Sequence, residues 1–312
     1  MLRARMFCAR SAYGASTIEP MAKAGKALSS GIRAQARPST AVRDSEAKRN
    51  LPARNGLPPG LLAPELSRLP HAQLEIMLAA GREIVECYRV LHKGGLNVVG
   101  EVLRGTGTFY EHNHYPEDDV FDADSHSQYY YHAHRGLPGE HGHFHTFLRG
   151  KGMPPEVSLL EVPHDEPWPG GDDAIAHLVA ISMDGYGIPI GLFAPNRWVT
   201  DDAWYPAGDL LAMLKRFRID HAFPSWPVNR WISAMSILFR PHIEEILAER
   251  DRVISVWREA LPTEDVFERR DLEILSHMPI SVDETLAVVS AALERRQARP
   301  STLGDCNETG TP

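Results

Sequence analysis

The clearest hydrophobic pattern in the chain follows Pro70 and has the period of an amphipathic helix. Apolar side chains recur every three or four residues, at Leu74, Met77, Leu78, Ile84, Val85, Tyr88 and Leu91. This spacing places them on one face of a helix. Gly94 and Gly95 follow, and consecutive glycines end a helix. We therefore expect a helix over residues 71–92.

Shorter apolar runs between residues 96 and 200 indicate strands. Residues 96–103 form one such run. Two others, 177–183 and 188–193, flank Asp184 and Gly185, and an Asp-Gly pair between two apolar runs is typical of a β-hairpin. Residues 196–200 are predicted to form a further strand.

Helical periodicity returns after residue 208. Candidate helices cover residues 209–219 and 229–239, and a third begins near Pro241, because proline suits the first turn of a helix. Ser281 and Glu284 have the spacing of a capping box, which predicts a last helix ending near residue 296. Strands in the middle of the chain with helices around them indicate an α+β fold. We predict a mixed, mainly antiparallel sheet of five or six strands packed by four to six helices.

Charge divides the chain into a basic start and an acidic body. Residues 1–55 hold 11 Lys and Arg against 3 Asp and Glu, whereas residues 56–312 hold 22 against 38, a balance of −16. The basic start is predicted to be a disordered extension, with a transit peptide or a start codon placed too far upstream as alternatives. Residues 56–297 are predicted to form one α+β domain, and residues 298–312 a second disordered tail.

The same features narrow the partners and the compartment. An acidic body is a poor candidate for binding nucleic acid or an anionic membrane, and no apolar run is long enough to span a bilayer. The three cysteines form neither a disulfide framework nor a zinc motif, so we predict a reducing cytoplasm. Gly-rich phosphate loops and serine-hydrolase elbows are absent from the sequence.

Histidines at alternate positions give residues 130–145 a distinct chemical character. They are His132, His134, His141, His143 and His145. Alternate side chains of a strand share one face, and residues 135–140 contain the glycines and proline of a hairpin loop. If His134 pairs with His141, then His132 faces His143 and Tyr130 faces His145. All five imidazoles would then line one patch of the sheet.

A second group of metal-ligand side chains precedes the hairpin, where His112 and His114 are followed by Glu117, Asp118 and Asp119. Neutral imidazole is the commonest protein metal ligand, and a mixture of imidazoles and carboxylates favours Zn²⁺, Fe²⁺ or Mn²⁺. We predict a divalent transition metal held by His112, His114, His132, His134, His143 and His145. One of the three carboxylates, with Glu117 and Asp119 as the catalytic candidates, would ligate the metal or act as general base to a metal-bound water.

Three functions are compatible with this pattern. The first is a metalloenzyme that acts on a small molecule, hydrolytic with zinc or oxidative with iron. The second is a protein that binds a metal ion or small molecule without turnover, since histidine titrates near neutral pH. The third is a metal-free interaction domain whose histidines hydrogen-bond to Tyr129, Tyr130 and Tyr131.

Two resemblances to known families bear on these alternatives. His112-Asn113-His114 followed by Glu117 resembles the first metal motif of the cupin barrels, from which it departs in the spacing of its glycines and glutamate. Residues 100–200 more closely resemble an uncharacterised bacterial family that is known as a domain of unknown function. That resemblance is carried by Gln128-Tyr129-Tyr130-Tyr131-His132-Ala133-His134, Glu140-His141-Gly142-His143-Phe144-His145 and Asn196-Arg197-Trp198. It implies a family but no activity.

Overall fold

A six-stranded sheet lies at the centre of the computed structural model, which describes residues 57–164 and 167–298. The strands are β1 (Tyr115–Phe121), β2 (Ser127–His132), β3 (Gly142–Arg149), β4 (Ile175–Met183), β5 (Pro189–Pro195) and β6 (Ile274–Pro279). They lie side by side in chain order, and each pairs antiparallel with the next. The predicted antiparallel sheet of five or six strands is confirmed.

Seven α-helices accompany the sheet in the described part of the chain. They are α1 (His71–Lys93), α2 (Val98–Val102), α3 (Arg197–Thr200), α4 (Ala207–Leu214), α5 (Trp226–Leu238), α6 (Arg240–Ala260) and α7 (Val282–Gln297). Together with the sheet they confirm the α+β class. Seven is one more than the upper limit of the predicted four to six helices. Two of the seven, α2 and α3, are short helices of about one turn. In none of the described helices is there an apolar stretch long enough to cross a bilayer.

Several local predictions are confirmed in outline. The first helix and the hairpin around Asp184 form as expected. The capping box also forms, because the side chain of Ser281 accepts a hydrogen bond from the backbone N–H of Glu284 at 3.2 Å. The helix predicted over residues 209–219 is shorter than expected and ends at Leu214. Strand β6 had not been predicted.

Two predicted strands are wrong, and both are short helices. Residues 96–103 contain α2, which begins where the side chain of Asn97 accepts a hydrogen bond from the N–H of Gly100 at 2.8 Å. Residues 196–200 contain α3, and the side chain of Asn196 accepts from the N–H of Arg197 at 2.9 Å. An asparagine at the N-cap satisfies backbone donors that a strand would pair elsewhere. In both places the asparagine cap favours a helical turn over the strand that we predicted.

The two faces of the sheet have different partners. On one face, which we call the helix face, Tyr129 donates a hydrogen bond from its hydroxyl to Asn229 of α5 at 2.7 Å. Phe144 packs on Trp231 of the same helix, and Ser276 of β6 bonds to the carbonyl of Ile246 in α6. The opposite face, which we call the histidine face, carries Tyr130, His132, His143 and His145, because neighbouring residues of a strand point to opposite sides.

All described residues belong to one compact unit. The predicted extension over residues 1–55 lies outside the described residues, and so does almost all of the predicted tail over 298–312. The architecture is an open sheet in linear strand order rather than a barrel of the cupin type.

The start of β3 leaves no room for a side chain at Gly142. A Cβ there would lie 2.5 Å from the hydroxyl oxygen of Tyr131 and 2.6 Å from the carbonyl oxygen of His132. We expect Gly142→Ala to lower the free energy of unfolding by about 1–3 kcal/mol, which is the usual cost of overpacking. Urea unfolding measures the change.

A matched control is Gly208→Ala in α4. A Cβ at Gly208 meets nothing within 4 Å. That substitution should raise the free energy of unfolding by about 0.4–1 kcal/mol, because alanine restricts the unfolded chain. Equal effects of the two substitutions would contradict the tight approach of β2 and β3.

Candidate metal centre

The pairing of β2 with β3 places the histidines as the sequence predicts. His132 pairs with His143, and Tyr130 pairs with His145. Four imidazoles meet on the histidine face, with ring centroids 4.5 Å apart for His132 and His143, 4.9 Å for His143 and His145, and 4.7 Å for His132 and His134. The predicted register is confirmed where it concerns these strands.

Three of these histidines have the geometry of a metal site. His132, His134 and His143 each offer a ring nitrogen, and these nitrogens lie within 4.8 Å of one another. His132 and His143 are buried, whereas His134, in the loop after β2, is half-buried. Zinc at about 2.0 Å from three imidazoles in tetrahedral geometry needs nitrogens about 3.3 Å apart. Nitrogens that lie farther apart than this would have to move together around a bound ion.

Three buried imidazole nitrogens of the cluster have no hydrogen-bond partner among the described residues. Nε2 of His132, of His143 and of His145 is buried and has no hydrogen-bond partner among the described residues. A buried nitrogen without a partner is costly, and such atoms are rare in native structures. Three of them in one cluster leave their lone pairs available to a metal ion or a hydrogen-bond donor.

A charged pair behind His143 determines which of its nitrogens is available. Nδ1 of His143 lies 2.9 Å from the Glu140 carboxylate, and Arg135 binds the same carboxylate through Nε at 2.9 Å. Arg135 also donates to the Ser182 hydroxyl at 2.9 Å, and its guanidinium lies 3.8 Å above the ring centroid of Phe193. Because Glu140 accepts from Nδ1–H, the lone pair of His143 is on Nε2 and faces the cluster. Metal-ligating histidines are usually oriented by such a carboxylate.

A β-bulge adds a further histidine that the sequence analysis did not identify. Nδ1 of His145 lies 2.9 Å from Nε2 of His177 in β4. The register of β3 and β4 shifts between Thr146 and Phe147, so that Phe147 pairs with His177. Without the shift, His177 would point to the helix face together with Val179. The contact with His177 therefore fixes the orientation of the His145 ring.

His112 and His114 lie at the exposed rim of the cluster. His112 stacks on His134, with ring centroids 5.3 Å apart, and His114 lies edge-on to His132 at 5.6 Å. His114 also stacks on Tyr130 at 3.6 Å, and its Nδ1 lies 3.0 Å from Asp119. All six predicted histidines thus belong to one contiguous group of rings.

The remaining predicted residues have other positions. Asp119 accepts a hydrogen bond from the side chain of Gln128 at 2.6 Å in addition to contacting His114. Glu117 and Asp118 are exposed on β1. His141 leaves the histidine face, because its Nδ1 lies 2.6 Å from the hydroxyl of Tyr131, a residue of the helix face. The expectation that all five hairpin imidazoles share one face is wrong for His141, which lies just before β3 and is not held by the β2–β3 pairing.

Burial keeps the clustered imidazoles neutral. It lowers the pKa of His132 to about 2 and that of His143 to about 4, with neighbouring histidines adding to the effect at His132. It lowers the pKa of His177 to about 3 and holds that of His145 well below its usual value. For Glu140, burial opposes ionisation, but hydrogen bonds from His143 and Arg135 outweigh it and lower the pKa to about 2. The site offers neutral imidazoles with an ionised carboxylate behind them.

Sequence reasoning missed Arg135, Glu140 and His177. The signal for the first two was present, because an arginine and a glutamate flank the hairpin loop between the two histidine pairs. Nothing in the sequence announces the bulge that turns His177.

The neutral histidines make stability depend on pH. Below the ordinary histidine pKa of about 6.5, these histidines bind protons in the unfolded chain but stay neutral in the folded protein. The free energy of unfolding therefore falls as the pH falls. We expect a slope of up to about 1.4 kcal/mol per pH unit for each such histidine between pH 6.5 and 4. His177→Gln should reduce this slope by up to about 1.4 kcal/mol per pH unit, the contribution of one proton. Urea unfolding of metal-free protein at several pH values measures it, and a flat profile would show that these imidazoles are accessible to protons.

Comparison with known proteins gives a family without an assigned activity. Residues 78–280 match the family model described as Domain of unknown function (DUF6969). No curated protein and no solved structure matches the chain. Since the family model covers well over half of the chain, the protein belongs to the DUF6969 family.

Proposed function

We propose that this protein binds one divalent transition metal ion, Zn²⁺, Fe²⁺ or Mn²⁺, through His132, His134 and His143, and uses it to transform a small molecule. The observation that carries the proposal is the set of three ring nitrogens within 4.8 Å, two of them on buried rings whose Nε2 atoms have no other partner. Three protein ligands leave coordination positions open, which distinguishes a catalytic metal site from a closed structural one.

The side of the cluster that faces solvent supports a role in catalysis. His134 is half-buried and His112 and His114 are exposed, so a small molecule reaches the cluster from this rim. A bound divalent metal would supply Lewis acidity and an activated water. Zinc would favour hydrolysis, and iron would permit oxidative chemistry.

His145 and the His114–Asp119 pair complete the proposed site. His145 is a candidate fourth ligand, because its Nε2 is buried without a partner among the described residues and His177 holds its ring; it lies outside the set of nitrogens within 4.8 Å and would have to approach the ion. Asp119 orients His114, and we assign to this pair the role of general base at the rim. Glu117, exposed on β1, is a weaker candidate for that role. Asp119→Asn should leave the metal content unchanged, whereas a loss of metal would make Asp119 a ligand.

The ligand assignment predicts the metal content of variants. The protein purified without a polyhistidine tag should contain about one equivalent of a single transition metal, and His132→Ala or His143→Ala should retain less than about a tenth of it, because two imidazoles cannot complete the site. Mass spectrometry of the metal content gives the result, with circular dichroism to confirm folding. His71→Ala, an exposed histidine of α1, is the matched control. Unchanged metal in the first two variants would refute the proposal.

The carboxylate behind His143 predicts a graded effect. Glu140→Gln keeps the shape of the side chain but removes its charge, and the loss of such an orienting partner weakens metal binding by about 10–100-fold. Competition with a chelator measures the dissociation constant. Glu249→Gln, which removes a carboxylate bound to Arg252 on α6, serves as the control and should leave the constant unchanged. Equal affinities for all three proteins would show that Glu140 has no part in metal binding.

A further inference from the structure

A large cleft lies apart from the histidine cluster. Its volume is about 1200 Å³, and it is bounded by the first half of α1, the segment after α4, and the turn between β1 and β2. None of the clustered histidines lines it. Pockets for small organic ligands are typically about 300–1000 Å³, so this cleft has room for one.

One part of the wall of the cleft is apolar. Met77, Leu214 and Phe217 are buried beneath it, whereas Ile76 and Ile237 are 60% and 42% exposed. A neighbouring pocket of about 450 Å³ shares both isoleucines and extends the apolar surface along α1 and α5. Exposed isoleucines side by side are unfavourable in water unless something covers them.

The rim of the cleft is basic, in a body that is otherwise acidic. Five cationic residues line the cleft against three aspartates; the cations are Lys151, Lys215, Arg216, Arg218 and Arg240. Residues 56–312 as a whole carry a balance of −16. The local excess of positive charge therefore runs against the charge of the body.

Three of these cations lack a carboxylate partner among the described residues: Lys215, Arg216 and Arg240. Arg216 donates only to the carbonyls of Gly152 and Met153, at 3.3 and 3.5 Å, and Arg240 donates to the carbonyl of Leu211 at 3.3 Å.

The aspartates of the cleft, Asp122, Asp124 and Asp220, reduce this charge but do not cancel it, because five cations against three carboxylates leave a balance of +2. Asp122 is buried and accepts hydrogen bonds from the backbone N–H groups of Ser125 and Asp220, at 2.9 and 2.7 Å. Asp220 is bound to Arg218. The positive charge at the rim is thus available to a ligand.

From the apolar wall and the unneutralised cations together, we infer that the cleft binds a small amphiphilic anion, a molecule with an aliphatic body and a carboxylate or phosphate head. The isoleucines would cover the body, and Lys215, Arg216 and Arg240 would bind the head. A nucleotide fits less well, because the cleft offers little aromatic surface on which a base could stack. Phe217 is buried, and the other aromatic ring of the lining is the imidazole of His126. This site is independent of the proposed metal site.

The test is calorimetric titration of the full-length protein with decanoate below its micelle concentration. We expect saturable binding of one molecule, weaker at high salt. Acetate has the head alone and decanol the tail alone, so each should bind at least about tenfold more weakly. Binding should persist in His132→Ala, because the cleft and the cluster share no residue.

Two pairs of variants locate the site. The double substitution of Lys215→Gln and Arg216→Gln should weaken decanoate binding at least about fivefold. Its control, Arg252→Gln on the exposed side of α6, should leave decanoate binding unchanged. Ile76→Gln should weaken it as well, whereas Val85→Gln, another exposed apolar residue of α1, should not. Thermal unfolding of each variant confirms that it is folded.

Three results would overturn the inference. The first is the absence of saturable decanoate binding, and the second is equal binding by the cleft variants and their controls. The third is sedimentation with phosphatidylglycerol vesicles in the absence of decanoate binding, which would make the basic rim a contact for a lipid surface instead of a site for a free amphiphile.

Discussion

The register between β2 and β3 is the constraint on which the site depends. Antiparallel pairing of His132 with His143 aligns two histidine-bearing strands so that their imidazoles share one face. A slip of one residue would send one set to the helix face, among Tyr129, Phe144 and Trp231. The register is held from that same face, because Tyr129 bonds to Asn229 of α5 and Phe144 packs on Trp231. Packing on one side of the sheet therefore positions the chemistry on the other.

The buried imidazoles of the site are uncharged. Desolvation lowers the pKa of His132, His143 and His177, so their ring nitrogens carry lone pairs at neutral pH. The cost of leaving three Nε2 atoms unpaired would be offset by a cation, which accepts those lone pairs. The ionised Glu140 is paired with Arg135, so the two side chains together add no net charge, and the carboxylate serves to orient the ring of His143. Donor orientation and protonation state thus both make the cluster able to hold a metal ion.

The sequence predicted which histidines of β2 and β3 lie together, because period-two alternation is a local property. Once the loop between the two strands is recognised, this alternation places His132, His143 and His145 on the same face of the sheet. What it did not predict arises from tertiary structure. The bulge opposite Phe147 turns His177 toward His145, and His141 bonds to Tyr131 because the pairing ends just before it. The two segments wrongly predicted as strands had a local signal, an asparagine within the first two residues of each, which caps a helix.

X-ray absorption spectroscopy at the edge of the metal that copurifies with the protein tests the central claim most directly, because it counts the ligands around the ion. The account predicts a first shell of nitrogen and oxygen atoms at about 2.0–2.2 Å with the multiple scattering of three imidazoles, or four if His145 also binds. The imidazole count should fall by one in His134→Ala if that variant retains metal. A shell of oxygen atoms without imidazole scattering would contradict the account.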